Sequence, residues 1–200
     1  IDEKHPTQPI NPYGDTKLAV EKLIYNYSKA YEINFISLRY FNVSGSDFLN
    51  EIGEVHTPET HVIPLALESI KRNSIFNIYG DDYNTKDGTC IRDFIHVKDL
   101  GKAHFLSFKK LLSSKVCEIV NVGCGKGFSI YEIIDSAKKV TNMKLSTSIV
   151  KRRDGDPDIL ISNIDKAKKL LSWEPQYSDI NLIINDSWKW YQNYFSWRIT

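Results

Sequence analysis

Cysteine is scarce in these 200 residues: only Cys90, Cys117 and Cys124 occur, in no CxxC pair and at no metal-ligand spacing. So sparse and odd a set excludes a disulfide framework and a cysteine-built metal centre, and no metal is expected; it fits reduced thiols in a cytoplasm. An excess of one charge is also lacking, with 26 Lys and Arg against 25 Asp and Glu and a formal net charge of +1. No strong field gathers nucleic acid or an anionic membrane, and aromatic residues do not alternate with basic ones along a strand-like stripe. No apolar run reaches spanning length, and no signal-peptide pattern opens the chain. The only methionine is Met143 and the first residue is Ile1, so the chain reads as a fragment.

What is present is an ordinary globular composition, 42% hydrophobic and 26% charged, in a chain long enough to bury a core. The period of the apolar residues switches repeatedly between helix and strand. Leu18, Val20, Leu23, Ile24 and Tyr27 make one stripe on a helix over 13–31, and Phe35 to Phe41 reads as a buried strand stopped by Asn42 and a Ser44-Gly45-Ser46 turn. Residues 47–60 show no period and are expected to form a loop. A helix over 62–71, a strand over 75–79 and a strand over 91–97 follow, then a helix started by Asp99. A strand over 118–122 leads through a glycine turn to a helix capped by Ser129. The rest predicts a strand over 144–150, a short helix from Asp165 and a final amphipathic helix over 182–194. Alternating strands and helices without a repeat define an α/β class.

Three blocks carry chemistry. Tyr13-x-x-x-Lys17 places a phenol and an ammonium one helical turn apart, where a nearby cation favours the phenolate needed for acid/base work. Tyr25-x-x-x-Lys29 has the same spacing, so spacing alone does not choose between them. The flanks do: Asn11-Pro-Tyr-Gly-Asp-Thr-Lys17 sets the first tyrosine where a loop becomes a helix, whereas Tyr25 lies deep in the helix and reads as packing. The second block, from Tyr79-Gly-Asp-Asp-Tyr to Ile91-Arg-Asp-Phe-Ile-His-Val-Lys-Asp-Leu100, sets Arg92 between an exposed turn and an apolar strand, where a guanidinium can grip a phosphate bidentately. The third, Lys151-Arg-Arg-Asp-Gly-Asp-Pro-Asp158, adds Arg153. The turn Gly123-Cys-Gly-Lys-Gly127 has the spacing G-x-G-x-G, with no acidic ribose ligand about twenty residues on, and reads as structural.

The first block resembles the active-site segment N-P-Y-x-x-[ST]-K of the extended short-chain dehydrogenase/reductases. The second and third, in the same order and over nearly the whole chain, resemble the UDP-glucose 4-epimerase branch of that family. Ser172 stands where the branch usually has glycine in K-A-x-x-x-L-G-W-x-P. The resemblance implies the C-terminal part of a Rossmann-type parallel sheet over 1–45 and a smaller α/β region over 46–200 that binds the UDP-sugar, with Rossmann elements interleaved around 90–112. It implies interconversion of UDP-glucose and UDP-galactose through a 4-keto sugar with bound NAD. Tyr13 would be the acid/base, and Lys17 and Phe41 would meet the nicotinamide end. Asn42, His61 and Val62 would line the sugar-nucleotide site, Asn77 and Tyr79 would meet the uracil, and Arg92, Arg153 and Asp156 the diphosphate and ribose. Leu160 would border the hexose, where some members carry a tyrosine that crowds the C2 substituent. A homodimer through the helix of the Tyr-Lys pair is implied as well. The family's G-x-x-G-x-x-G turn has no counterpart in these residues, so the polypeptide alone is expected to be inactive. A UDP-N-acetylglucosamine or UDP-glucuronate 4-epimerase, a dehydratase and a non-catalytic remnant stay open.

Overall fold

In the computed structural model, which describes residues 1–196, helices and strands alternate as the sequence predicts. Helix α1 (Pro12–Tyr31) begins where Asn11, in extended backbone, accepts a hydrogen bond from the Gly14 amide at 2.8 Å. Pro12 sits in the first turn, whose amides have no helical partner to lose. Strands β1 (Phe35–Tyr40) and β2 (Asn42–Ser44) follow, separated by Phe41. Helix α2 (Val62–Arg72) buries Ile63, Ala66, Leu67 and Ile70, one face of a 3.6-residue period. Strand β3 (Ile75–Tyr79) alternates: Phe76 and Ile78 are buried, Asn77 and Tyr79 exposed.

The chain continues through β4 (Ile91–Arg92), β5 (Phe94–His96), α3 (Val97–Ser113), β6 (Cys117–Val122) and β7 (Phe128–Ser129). It then forms α4 (Ile130–Thr141), β8 (Ser146–Val150), β9 (Ile159–Leu160), α5 (Asp165–Leu171) and α6 (Ile180–Ser196). Ser129 caps α4 in a reciprocal box with Glu132, as the sequence predicts. Strand pairs β1–β6, β2–β5 and β3–β8 are parallel, which requires the crossovers that the helices supply. Strand β4 lies between β7, antiparallel, and β9, parallel.

Two apolar cores result. One joins α2, β3, α4 and α6 around Leu67, Ile78, Ile134 and Ile184; the other joins β1, β5, α3, β6 and α5 around Ile95, Val120, Val122 and Trp173. Strand β5 divides them. Its successive side chains face opposite ways, so Phe94 enters the first core and Ile95 the second.

The structure corrects three expectations. The strand over 91–97 is two short strands, broken at Asp93, whose buried carboxylate accepts from the amides of Cys124, Gly125 and Ser162. Helix α3 starts at Val97, earlier than Asp99, because the His96 ring caps it by accepting from the Lys98 amide at 3.1 Å. Asp99 instead lies buried in the first turn, accepting from the Gln176 and Tyr177 amides and the Ser178 hydroxyl. Strand β1 is half-buried rather than buried: among the described residues it pairs on one edge only, with β6. Helix α1 likewise buries no residue, and Leu23 of its apolar stripe is 55% exposed. Strands β2, β7 and β9, of two or three residues, are too short to show a period in sequence.

Candidate active site

Two adjoining clefts open beside the carboxyl ends of β1, β2 and β3, the end of a parallel sheet where ligands bind. The larger, 1040 Å³, is walled by Tyr13 at the start of α1, Phe41 and Asn42 between β1 and β2, His61 and Val62 at the start of α2, and Leu160 on β9. The smaller, 200 Å³, is walled by Asn77 and Tyr79 of β3 with Arg153 and Asp156 of the loop before β9. Asn42, His61, Val62, Arg92 and Phe94 line both, so the two form one trough. Of the twelve residues singled out in sequence, the structure brings eleven to this trough; Lys17 is the one outside it.

Lys17 lies behind Tyr13, its ammonium 5.2 Å from the ring centroid. Lys29 stands 5.4 Å from the Tyr25 ring, nearly the same geometry. What separates the pairs is position: Tyr13 is 73% exposed and faces the trough, whereas Tyr25 lines neither cleft. The loop-to-helix junction made by Asn11 and Pro12 is what sets Tyr13 there.

Arg92 is held by its neighbours. Its guanidinium donates to Asp156 at 2.6 Å and to the Ile91 carbonyl at 2.7 Å, while Asp156 also accepts from the Tyr83 hydroxyl at 3.0 Å. Burial, and then that bond to Asp156, push the Tyr83 phenol up to about 12, so it stays a donor at neutral pH. The tandem arginines are divided in role. Arg152 donates to Asp158 and to the Asp156 carbonyl and stacks on Tyr83. Arg153 stacks on the Tyr79 ring, 4.2 Å from its centroid, and makes no ion pair among the described residues. A charge free of a carboxylate partner and seated on an aromatic face is suited to meet an anion.

The glycine turn is structural in its geometry. The amides that a phosphate would need, those of Cys124 and Gly125, donate to Asp93 at 2.7 and 3.1 Å. Sequence reasoning missed Tyr40, Glu54, His56 and Lys98 in the larger cleft. Glu54 and His56 lie in the loop without a period, where the close recurrence of Glu and His was the available signal.

Parallel strands crossed over by helices, with a trough at their carboxyl ends, define the Rossmann-like α/β class. Residues 1–123 match the model of the NAD dependent epimerase/dehydratase family, and the chain belongs to that family. It is 43% identical over 195 residues to a UDP-glucose 4-epimerase of Halalkalibacterium halodurans, covering 97% of this chain and 58% of that relative. Among solved structures it resembles the UDP-glucose 4-epimerase of Brucella ovis in complex with NAD, with TM-score 0.91 and 42% identity over 94% of this chain and 58% of that one. It also resembles the Bifidobacterium longum enzyme in complex with NAD+ and UDP, with TM-score 0.87 and 31% identity over 96% and 58%. The chain thus spans less than two thirds of the length of each.

Proposed function

We propose that this chain carries the UDP-sugar site and the acid/base pair of an NAD-dependent UDP-glucose 4-epimerase, which interconverts UDP-glucose and UDP-galactose through a 4-keto sugar. The observation that carries this reading is the convergence of sequence-distant motif residues, Tyr13, Asn42, Arg92 and Arg153 among them, on one trough. Bound NAD supplies a hydride acceptor and donor at C4 of the hexose. The residues present fit its nicotinamide end, with Phe41 and Tyr13 lining the larger cleft and Lys17 beside the Tyr13 ring; the glycine turn, its amides engaged by Asp93, does not serve as a pyrophosphate cradle. Tyr13 takes the proton of the 4-hydroxyl and returns it. Arg92 and Arg153 offset the diphosphate charge, Asp156 meets the ribose hydroxyls, Asn77 and Tyr79 face the uracil, and Asn42, His61, Val62 and Leu160 enclose the sugar.

The division into a cofactor-side region, 1–45, and a sugar-side region, 46–200, with Rossmann elements interleaved around 90–112, is supported by β1 and β2 sharing one core with β5, α3, β6 and α5 while α2, β3, α4 and α6 share the other. The exposed apolar stripe of α1 supports a homodimer through that helix, and the reduced thiols support a cytoplasmic setting. No helix among the described residues is long and apolar enough to cross a membrane.

The test fuses the chain to the part of the Halalkalibacterium relative that it does not match and follows UDP-galactose formation from UDP-glucose. Tyr13→Phe is expected to lower kcat about 100-fold or more, the usual scale for lost acid/base catalysis. Tyr25→Phe is expected to change it less than about twofold on the same scale. Equal losses in the two variants refute the assignment.

A further inference from the structure

The loop that lines the larger cleft carries a second cluster, of which the epimerase reading uses only His61. Glu54, His56, Glu59 and His61, spaced E-x-H-x-x-E-x-H, bring one ligand-type atom each to within 4.8 Å of one another. His56 Nδ1 lies 3.1 Å from Glu54 Oε1 and 3.8 Å from Glu59 Oε2, and His61 Nδ1 lies 3.6 Å from Glu59 Oε1 and in contact with Glu54. Donors around a tetrahedral ion with metal bonds of about 2.0–2.1 Å stand roughly 3.3 Å apart. The cluster needs only small side-chain adjustments to reach that geometry.

The carboxylates are the covered members, with side chains 19% and 13% exposed, while the two imidazoles meet edge to face in front of them at 5.0 Å. Two carboxylates drawn together out of water repel unless something positive joins them. The cluster is also built in from behind. One oxygen of Glu59 accepts from the Thr60 and His61 amides at 2.7 and 2.8 Å, which fixes the carboxylate, and its other oxygen lies 3.8 Å from His56 Nδ1. The carbonyl of Glu54 accepts from the Trp190 indole of α6 at 3.1 Å, which anchors the far end of the loop.

We propose that Glu54, His56, Glu59 and His61 form a binding site for one divalent transition-metal ion of the zinc class, which ties the 54–61 loop to the start of α2. Two imidazoles with two carboxylates suit zinc, cobalt or nickel, whereas magnesium and calcium take all-oxygen sets. The site shares His61 with the sugar trough, but it is argued from the geometry of the four side chains and not from the epimerase reading.

The test uses the purified, tag-free protein after dialysis against a chelator, titrated by calorimetry with Zn2+ and followed in parallel with Co2+ by visible absorption. One equivalent is expected to bind at micromolar Kd or tighter, with the intense visible bands of four-coordinate cobalt, a Tm raised by several degrees, and no displacement by excess Mg2+. Glu59→Gln and His56→Asn are expected to weaken binding tenfold or more. Circular dichroism of each metal-free variant shows that it folds. Absence of stoichiometric binding at 100 µM Zn2+, with a Tm indifferent to chelator, overturns the proposal and leaves the cluster as hydrogen-bonded side chains. Binding that survives all four single substitutions overturns it equally.

Discussion

Leu160 lies opposite Arg92 where β9 joins β4, so its side chain enters the larger cleft beside the arginine proposed for the diphosphate. A leucine there leaves more room at the sugar than a tyrosine. Turnover of UDP-N-acetylglucosamine by the reconstituted enzyme is therefore expected, and Leu160→Tyr is expected to lower kcat/KM for the acetylated sugar relative to UDP-glucose about tenfold, the scale of one or two methylene clashes. An unchanged ratio shows that residue 160 is not the gate. His96 makes a different point at the same scale. Burial holds its imidazole below the ordinary histidine value; the bond to Asp186 acts against that and the nearby Lys98 with it. The unfolded chain binds this proton near pH 6.5 while the fold resists it, so stability is full above that pH and declines as pH falls toward the depressed folded value. The melting temperature is expected to drop between pH 7.5 and 5.5, and to drop less in His96→Gln. Parallel profiles for the two proteins contradict this.

At the scale of elements, two glycines of different surroundings show what positions the site. Gly101 sits inside α3 with open space where a side chain would go. Gly101→Ala is expected to stabilise the protein by roughly 0.5–1 kcal/mol, the helix-propensity difference. Gly123 closes the turn after β6, and a Cβ there would lie 2.3 Å from the Ser162 hydroxyl and 2.6 Å from the Asp93 carboxylate. Gly123→Ala is expected to cost about 2 kcal/mol through overpacking of that buried network. Denaturant titration of the two variants checks both signs. The helices and long strands were legible in sequence because apolar residues recur at a fixed period, as Ile63, Ala66, Leu67 and Ile70 do in α2. The start of α3 was not, because its cap is an imidazole rather than the carboxylate two residues inside.

For the molecule as a whole, the residues proposed for the cofactor reach only its nicotinamide end, while those proposed for UDP line the trough along both clefts. Calorimetry on the 200-residue polypeptide is expected to show heat of binding for UDP and none for NAD at millimolar concentration. Dinucleotide affinity in this fold depends on a glycine turn at a helix N-terminus, and the glycine turn that precedes α4 has its amides engaged by Asp93. Tight NAD binding by the chain alone would contradict the assignment, as would a UDP affinity untouched by Arg92→Ala. The exposed face of α1 and the open edge of β1 belong to this scale too: an unpaired apolar strand edge invites pairing with another chain.

The sequence by itself determined the α/β class, the bounds of the longer elements to within a few residues, and eleven of the residues that line the trough. Those follow from local periodicity and from motifs whose residues stay together along the chain. Tertiary structure alone decided that Asp93 and Asp99 are buried acceptors for distant amides and that, among the described residues, Arg152 pairs with a carboxylate while Arg153 pairs with none. It also gathered Glu54, His56, Glu59 and His61 from a stretch with no period. The reason is physical: the environment of a polar group is set by atoms that arrive from elsewhere in the chain, and no local pattern records which ones arrive.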